Sequence, residues 1–211
     1  MGNYRKACPS SLLKWTFSFN LVWEKVCAEV MDNQLQKPLG GLRLPVPLTE
    51  QYRALRHKKL IELIDKPQWA GTTSRDETFV KQAEDTLIPD LVAIVNNGEE
   101  FQFIIFDAKY YNIQLEYGKK LRGQPGIESI TKQYLYQLAY QDFVEAHNIG
   151  SVKNCFLMPS QDDQIEYTGT VSLAMLSKLG LQDIQVRRLP AKAMYDYYLK
   201  NKRMDISLLK I

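Results

Sequence analysis

Two apolar runs joined by a short polar turn constrain this chain more than any other feature in it. Residues 87–95 and 101–109 are almost wholly hydrophobic and flank Asn96-Asn97-Gly98-Glu99-Glu100, the pattern of two strands closing as a hairpin. Their charged residues are Asp90, Asp107 and Lys109. Side chains alternate faces along a strand, so Asp107 and Lys109 point the same way, roughly 7 Å apart. A hairpin folds Asp90 back beside them. Two carboxylates and an ammonium on a greasy sheet are costly unless they pair or bind a metal. Such clusters are concentrated where a protein does chemistry.

The chain has 211 residues, 45% of them apolar, which suits one globular domain spanning 1–211 with a sizeable core. Its 27 Lys and Arg against 24 Asp and Glu leave a net charge of +3. That balance selects no partner, so local clusters carry the argument. Cys8, Cys27 and Cys155 are odd in number and widely spaced, against a disulfide framework or a zinc site and for a reduced, cytoplasmic setting. No apolar run approaches the ~20 residues that span a bilayer, and Lys14, Ser18 and Asn20 interrupt the best signal-peptide candidate. With His57 and His147 as the only histidines, a histidine triad or zinc hydrolase is disfavoured. Gly123-Gln124-Pro125-Gly126 lacks the Lys-Ser/Thr of a phosphate loop, so a nucleotide-driven motor would be a separate subunit.

Apolar positions at Phe17, Leu21, Val22, Val26 and Val30 predict a helix over 17–35 that carries Glu24. A Pro- and Gly-rich passage over 37–47 ends it. Residues 49–64 read as a second, strongly basic helix with Thr49 as N-cap. Residues 67–86 read as a loop or irregular strand, and 110–126 as a long basic loop beside the hairpin. A strong helix follows over 127–147, then strands at 152–158, 164–171 and 184–189, with Pro190 opening a terminal helix. The expected class is α/β, a mixed central sheet flanked by helices.

Hydrolysis of a phosphodiester needs a metal to polarise phosphate and activate water, with a positive group nearby. Asp90 and Asp107 are suitable hard-oxygen ligands for Mg²⁺, and the Ala108 carbonyl is a further candidate. Lys109 could stabilise developing charge or the attacking water. Pro89-Asp90 followed by Asp107-Ala108-Lys109 resembles the PD-(D/E)xK nuclease motif. Phe106 to Tyr111, together with Lys132-Gln133-Tyr134-Leu135-Tyr136-Gln137-Leu138-Ala139-Tyr140, is more specifically similar to LlaJI-type restriction endonucleases. The likeness extends more distantly to the McrC nuclease subunit of modification-dependent systems.

The resemblance implies a restriction-endonuclease-like core, a Mg²⁺-dependent DNA endonuclease and double-stranded DNA as substrate. Glu24 would be a further acidic ligand and Gln137 a catalytic helix residue. Extra N-terminal regions in the family mean that the chain could be the catalytic portion of a larger protein. The McrC likeness raises an McrB-like GTPase partner, and double-strand cleavage raises a homodimer. Each assignment has a plainer counterpart. Glu24 could be a solvated helix residue, and Gln133 and Tyr136 ordinary helix positions. Lys119, Lys120 and Arg122 in the loop, and Arg56, Lys58 and Lys59 in the basic helix, could grip phosphates or simply solvate a surface. Two rival functions share these residues: a non-catalytic DNA-binding or assembly module, and a repair or junction nuclease.

Overall fold

The structure, a computed structural model, describes residues 10–211, with side chains from Phe19 onward apart from that of Ser177. Cys8 therefore lies outside the described residues. The expected β-hairpin forms as β3 (Leu91–Asn96) and β4 (Phe101–Ala108), paired antiparallel from Leu91↔Phe106 to Asn96↔Phe101. In the turn, Asn96 Oδ1 accepts from Gly98 N and Asn97 Oδ1 from the amides of Glu99 and Glu100, the local amide chemistry that makes Asn a turn residue.

Parallel to β4 lies β5 (Ser151–Ser160), and parallel to β5 lies β7 (Ile184–Pro190). The edge strand β6 (Glu166–Val171) pairs antiparallel with β7. The order β3-β4-β5-β7-β6 gives a mixed five-stranded sheet. Both faces of β4 are buried, which explains its near-continuous hydrophobic run.

Alternation along β4 sorts the sheet into two faces. Ile104, Phe106 and Ala108 join Trp23, Val26, Cys27 and Val30 of α1 (Ser10–Val30) and Met194 of a later helix in one core. Phe103 and Ile105 pack instead with Tyr136, Tyr140 and Phe143 of the long helix over 127–146 and with Leu39, Tyr52 and Leu60. The α/β arrangement expected from the sequence, a mixed central sheet flanked by helices, is the one observed, and it is compatible with a restriction-endonuclease-like core.

Three expectations are corrected. Residues 49–64 are not one helix: α2 covers only Glu50–Arg53, and a 3₁₀ turn follows at Leu60–Leu63. The basic run between them crowds like charges at helical spacing, and a short helix cannot recover its nucleation cost. Thr49 stands at the N-cap of α2 as expected, though its side chain makes no cap hydrogen bond; its backbone N–H donates to His147 Nε2 at 3.4 Å. Residues 67–86 contain a paired ribbon, β1 (Gln68–Thr72) with β2 (Thr78–Gln82). Its pattern was hidden because neither face packs on the core, so no polar–apolar alternation was selected for. Pro190 closes β7 and stands at the N-cap of α4 (Ala191–Leu199), one residue before the first helical position. The long helix, α3, spans Ile127–Ala146. Among the described residues no helix is long and apolar enough to cross a membrane, and the free thiols Cys27 and Cys155 are both buried.

Candidate active site

Asp107 and Lys109 sit where β4 runs out, on the α3 face by their register with Phe103 and Ile105. Lys109 Nζ donates to Asp107 Oδ1 at 2.7 Å, with both side chains largely shielded from solvent. Asp90, just before β3, turns its Oδ2 onto the Ala108 N–H at 2.8 Å. Its carboxyl lies near enough to that of Asp107 for the Asp107 charge to act on it. Glu24 approaches from α1 on the opposite face, half-buried and close enough that Lys109 and Asp107 both act on its charge. Strand alternation, hairpin closure and one helix thus bring four of the expected residues together.

The electrostatics are those of a site with too much negative charge for its depth. Burial, then the Asp107 charge and their hydrogen bond, push Asp90 up to about 8, Lys109 only partly opposing this. Burial and Asp107 also raise Glu24, against the pull of Lys109. Burial alone would lower Lys109, yet its carboxylate neighbours, Asp107 first, raise it. Lys109 therefore stays an ammonium, while the Asp90 carboxyl holds its proton near neutral pH.

A divalent cation would offset the negative charge that the two carboxyls gather here. Among the described residues no cluster of three or more His, Cys, Asp or Glu side chains has metal-holding geometry. Mg²⁺ suits this arrangement because it takes one or two carboxylates and keeps several waters. The donor set of Asp90 and Asp107, with the Ala108 carbonyl beside them and Glu24 behind, fits it on chemistry.

Asp90 is held by groups that pattern reading did not pick out. Asn33, just past α1, donates from Nδ2 to the Asp90 carbonyl at 3.0 Å, and its Oδ1 accepts from the amides of Val92 and Leu35. Tyr136 on α3 donates its hydroxyl to the Ile88 carbonyl at 2.9 Å. The phenol is pushed up by burial and by the charges of Asp107 and Asp90. Carbonyls on both sides of Pro89 are therefore pinned, and the carboxylate is mounted rigidly. Asn33 carried no pattern signal: an Asn after a helix reads as a turn residue, and its partners on Asp90 and Val92 lie 57 and 59 positions away.

Gln137 is not brought to this cluster. Its Oε1 accepts from Asn154 Nδ2 at 2.6 Å and from the Gln182 amide at 3.2 Å, joining α3 to β5 deeper in the sheet. Gln133, one turn earlier, is fully buried and donates to the Ile105 carbonyl at 2.7 Å. Tyr140 packs on Phe103 at 4.9 Å between ring centroids. The basic candidates separate. Arg56, Lys58 and Lys59 are exposed on the segment between α2 and the Leu60–Leu63 turn. Lys119, Lys120 and Arg122 are exposed on the loop that leaves β4 directly after Lys109.

A family model described as LlaJI restriction endonuclease matches residues 54–194, which include Asp90, Asp107 and Lys109. The chain is 31% identical over 197 residues to the type II restriction enzyme BsuMI component YdjA of Bacillus subtilis (strain 168). That match covers 92% of this chain and 35% of the relative, so the chain spans about a third of the curated relative's length. No solved structure matches it.

Proposed function

The chain belongs to the LlaJI restriction endonuclease family, and from that premise we propose that it is a Mg²⁺-dependent deoxyribonuclease whose centre is Asp90, Asp107 and Lys109. The observation that carries the reading is the buried Asp90–Asp107 pair with an ammonium 2.7 Å from one member. A surplus carboxylate in a shielded position costs stability that a purely structural ion pair would not need to spend.

Asp90, Asp107 and the Ala108 carbonyl would hold the metal, with Glu24 as a further carboxylate. When bound, the ion supplies Lewis acidity at the scissile phosphate and lowers the pKa of water. Lys109 keeps its proton because Asp107 faces it; it therefore acts as a fixed positive charge that stabilises the phosphorane-like transition state. Ala108 N–H fixes the Asp90 carboxylate rotamer, and Asn33 and Tyr136 fix its backbone. Lys119, Lys120, Arg122, Arg56, Lys58 and Lys59 offer phosphate contacts on the exposed side. The relative is named a component of its enzyme; by analogy companion subunits, including a nucleotide-hydrolysing one, belong to the working system proposed here. Cutting both strands would bring two copies together.

The deciding experiment is cleavage of unmodified bacteriophage DNA with Mg²⁺, with EDTA, and with Lys109→Ala protein. Discrete fragments lost in both controls support the assignment. Cleavage surviving Lys109→Ala moves the active site elsewhere. Tight DNA binding with no cleavage, alone and with companion subunits added, supports a non-catalytic module instead.

A further inference from the structure

The β1–β2 ribbon is a sheet of two strands that no third strand completes, and an isolated hairpin of this kind is marginal in water. Trp69 is 70% exposed, Val80 64% and Phe79 43%; the register puts Trp69 and Phe79 on one face. The ladder shows which backbone groups remain free. Ala83 N donates to the Pro67 carbonyl and Thr73 N to the Glu77 carbonyl. Hydrogen-bonded and open positions alternate along an antiparallel strand. The odd-numbered residues of β1 therefore bond to β2, and the N–H and C=O groups of Gln68, Ala70 and Thr72 point away from it.

That free edge is unguarded. Exposed edges are usually blunted by charge, lysine above all. β2 carries Lys81, whereas β1, Gln68-Trp69-Ala70-Gly71-Thr72, carries no charge. A second β1 laid antiparallel and centred on Ala70 fits this edge in three respects. The outward groups of Ala70 meet those of the other Ala70, and Gln68 meets Thr72. Trp69 falls opposite Gly71, at an open pair where side chains approach closest. The Phe79 ring lies across Gly71, so close that any Cβ there would collide with it. The incoming indole therefore meets that ring in the place a side chain would have filled. Charge agrees as well. The same two-fold carries the ribbon tip, Arg75, Asp76 and Glu77, to the root of the other copy at Asp65 and Lys66, so each sign finds its opposite. Pairing through β2 about Val80 would instead set Asp76 and Glu77 against Glu84 and Asp85, acid on acid.

We infer that β1 is a docking edge for a second copy of this chain, the two ribbons joining as one four-stranded antiparallel sheet about a two-fold through Ala70. The Lys81-bearing strands lie outside, so assembly closes at two copies. Five residues a side fall short of the ~20–30 of a standard interface. The association is therefore weak and transient, suited to copies that meet on their substrate. Its use, bringing two catalytic centres to the two DNA strands, rests on the nuclease reading; the contact itself does not.

The test traps this contact in the full chain carrying Cys8→Ser, since Cys27 and Cys155 are buried. Directly opposed residues lie ~5.5 Å apart between Cα atoms, within disulfide range. Under mild oxidation Ala70→Cys should form an intermolecular disulfide at least about tenfold faster than Val80→Cys at the centre of β2. Ala70→Lys sets like charges on the two-fold and should weaken self-association in sedimentation velocity at least about tenfold, with unchanged circular dichroism. Equal trapping at the two positions overturns the inference, as does self-association untouched by Ala70→Lys. A parent that stays monomeric across the concentration series and on DNA, with no disulfide at position 70, overturns it too. Selective trapping at position 70 in a chain that never cleaves DNA, even with companion subunits added, overturns the nuclease reading and leaves the docking edge standing.

Discussion

Two polar clusters lie buried on the α3 face of the same sheet, and they solve burial in opposite ways. At Gln137, Asn154 and Gln182, neutral amides meet: one carbonyl oxygen accepts from a side-chain amide and a backbone amide. At Asp90, Asp107 and Lys109, three ionisable groups meet, two carboxyls against one ammonium. The first cluster joins a helix to a strand. The second is left electrostatically unfinished, at a cost to folding that a ligand can offset. A neutral amide network therefore marks architecture and a charge-imbalanced one marks chemistry.

The largest expected effect breaks the charged cluster at its cation. Lys109→Ala should lower the rate of DNA cleavage by about 10²–10³-fold while the far-ultraviolet circular dichroism stays that of the parent. A variant with undiminished single-turnover rate would end the comparison.

Asp90→Asn should abolish measurable cleavage yet leave the metal-free protein as stable as the parent, or more so, near pH 8. Asp90 is about 8 when folded and ordinarily 3.8, so between those values the folded state holds more protons than the unfolded. Stability therefore falls as pH rises from about 4 to about 8, and the Asn variant should lose that slope in urea titrations. By the same linkage, Mg²⁺ should raise the parent's Tm more at pH 8 than at pH 6, since it competes with the proton.

Removing the mount should act more gently. Asn33→Ala frees the Asp90 carbonyl and the Val92 and Leu35 amides. We expect about a 10–100-fold rise in the Mg²⁺ concentration for half-maximal cleavage, the scale of outer-shell changes at metal sites. Part of that loss should return in Asn33→Asp, whose oxygen still accepts from the two amides. A loss of stability with unchanged Mg²⁺ dependence would reduce Asn33 to a structural tie.

The neutral cluster gives the smallest effect on catalysis. Gln137→Ala strands the Asn154 and Gln182 donors and should cost about 1–3 kcal/mol of unfolding free energy, with the cleavage rate per folded molecule within a few-fold of the parent. A 10²-fold rate loss without destabilisation would return Gln137 to the active site and erase the distinction drawn here.

What sequence could determine was whatever rests on local periodicity. The β3–β4 hairpin, the shared face of Asp107 and Lys109, the long helix α3 and the strands after it all follow from alternation, turn chemistry and helical spacing. The motif flanking Ala108 was legible for the same reason, its members being one strand and one turn apart. Local pattern failed where tertiary packing chose. The basic stretch over 49–64 breaks into turns that seat Tyr52 and Leu60 in the core, and β1–β2 formed with no buried face to announce it. Gln137 and Tyr136 are neighbours on one helix, yet only the latter's hydroxyl reaches the Pro89–Asp90 mount. That assignment depends on how far α3 slides along β4, which helical spacing leaves free. Asn33 depends on the same kind of choice. Its amide closes onto the Asp90 carbonyl 57 residues away, and only the folded chain brings that carbonyl within hydrogen-bonding distance.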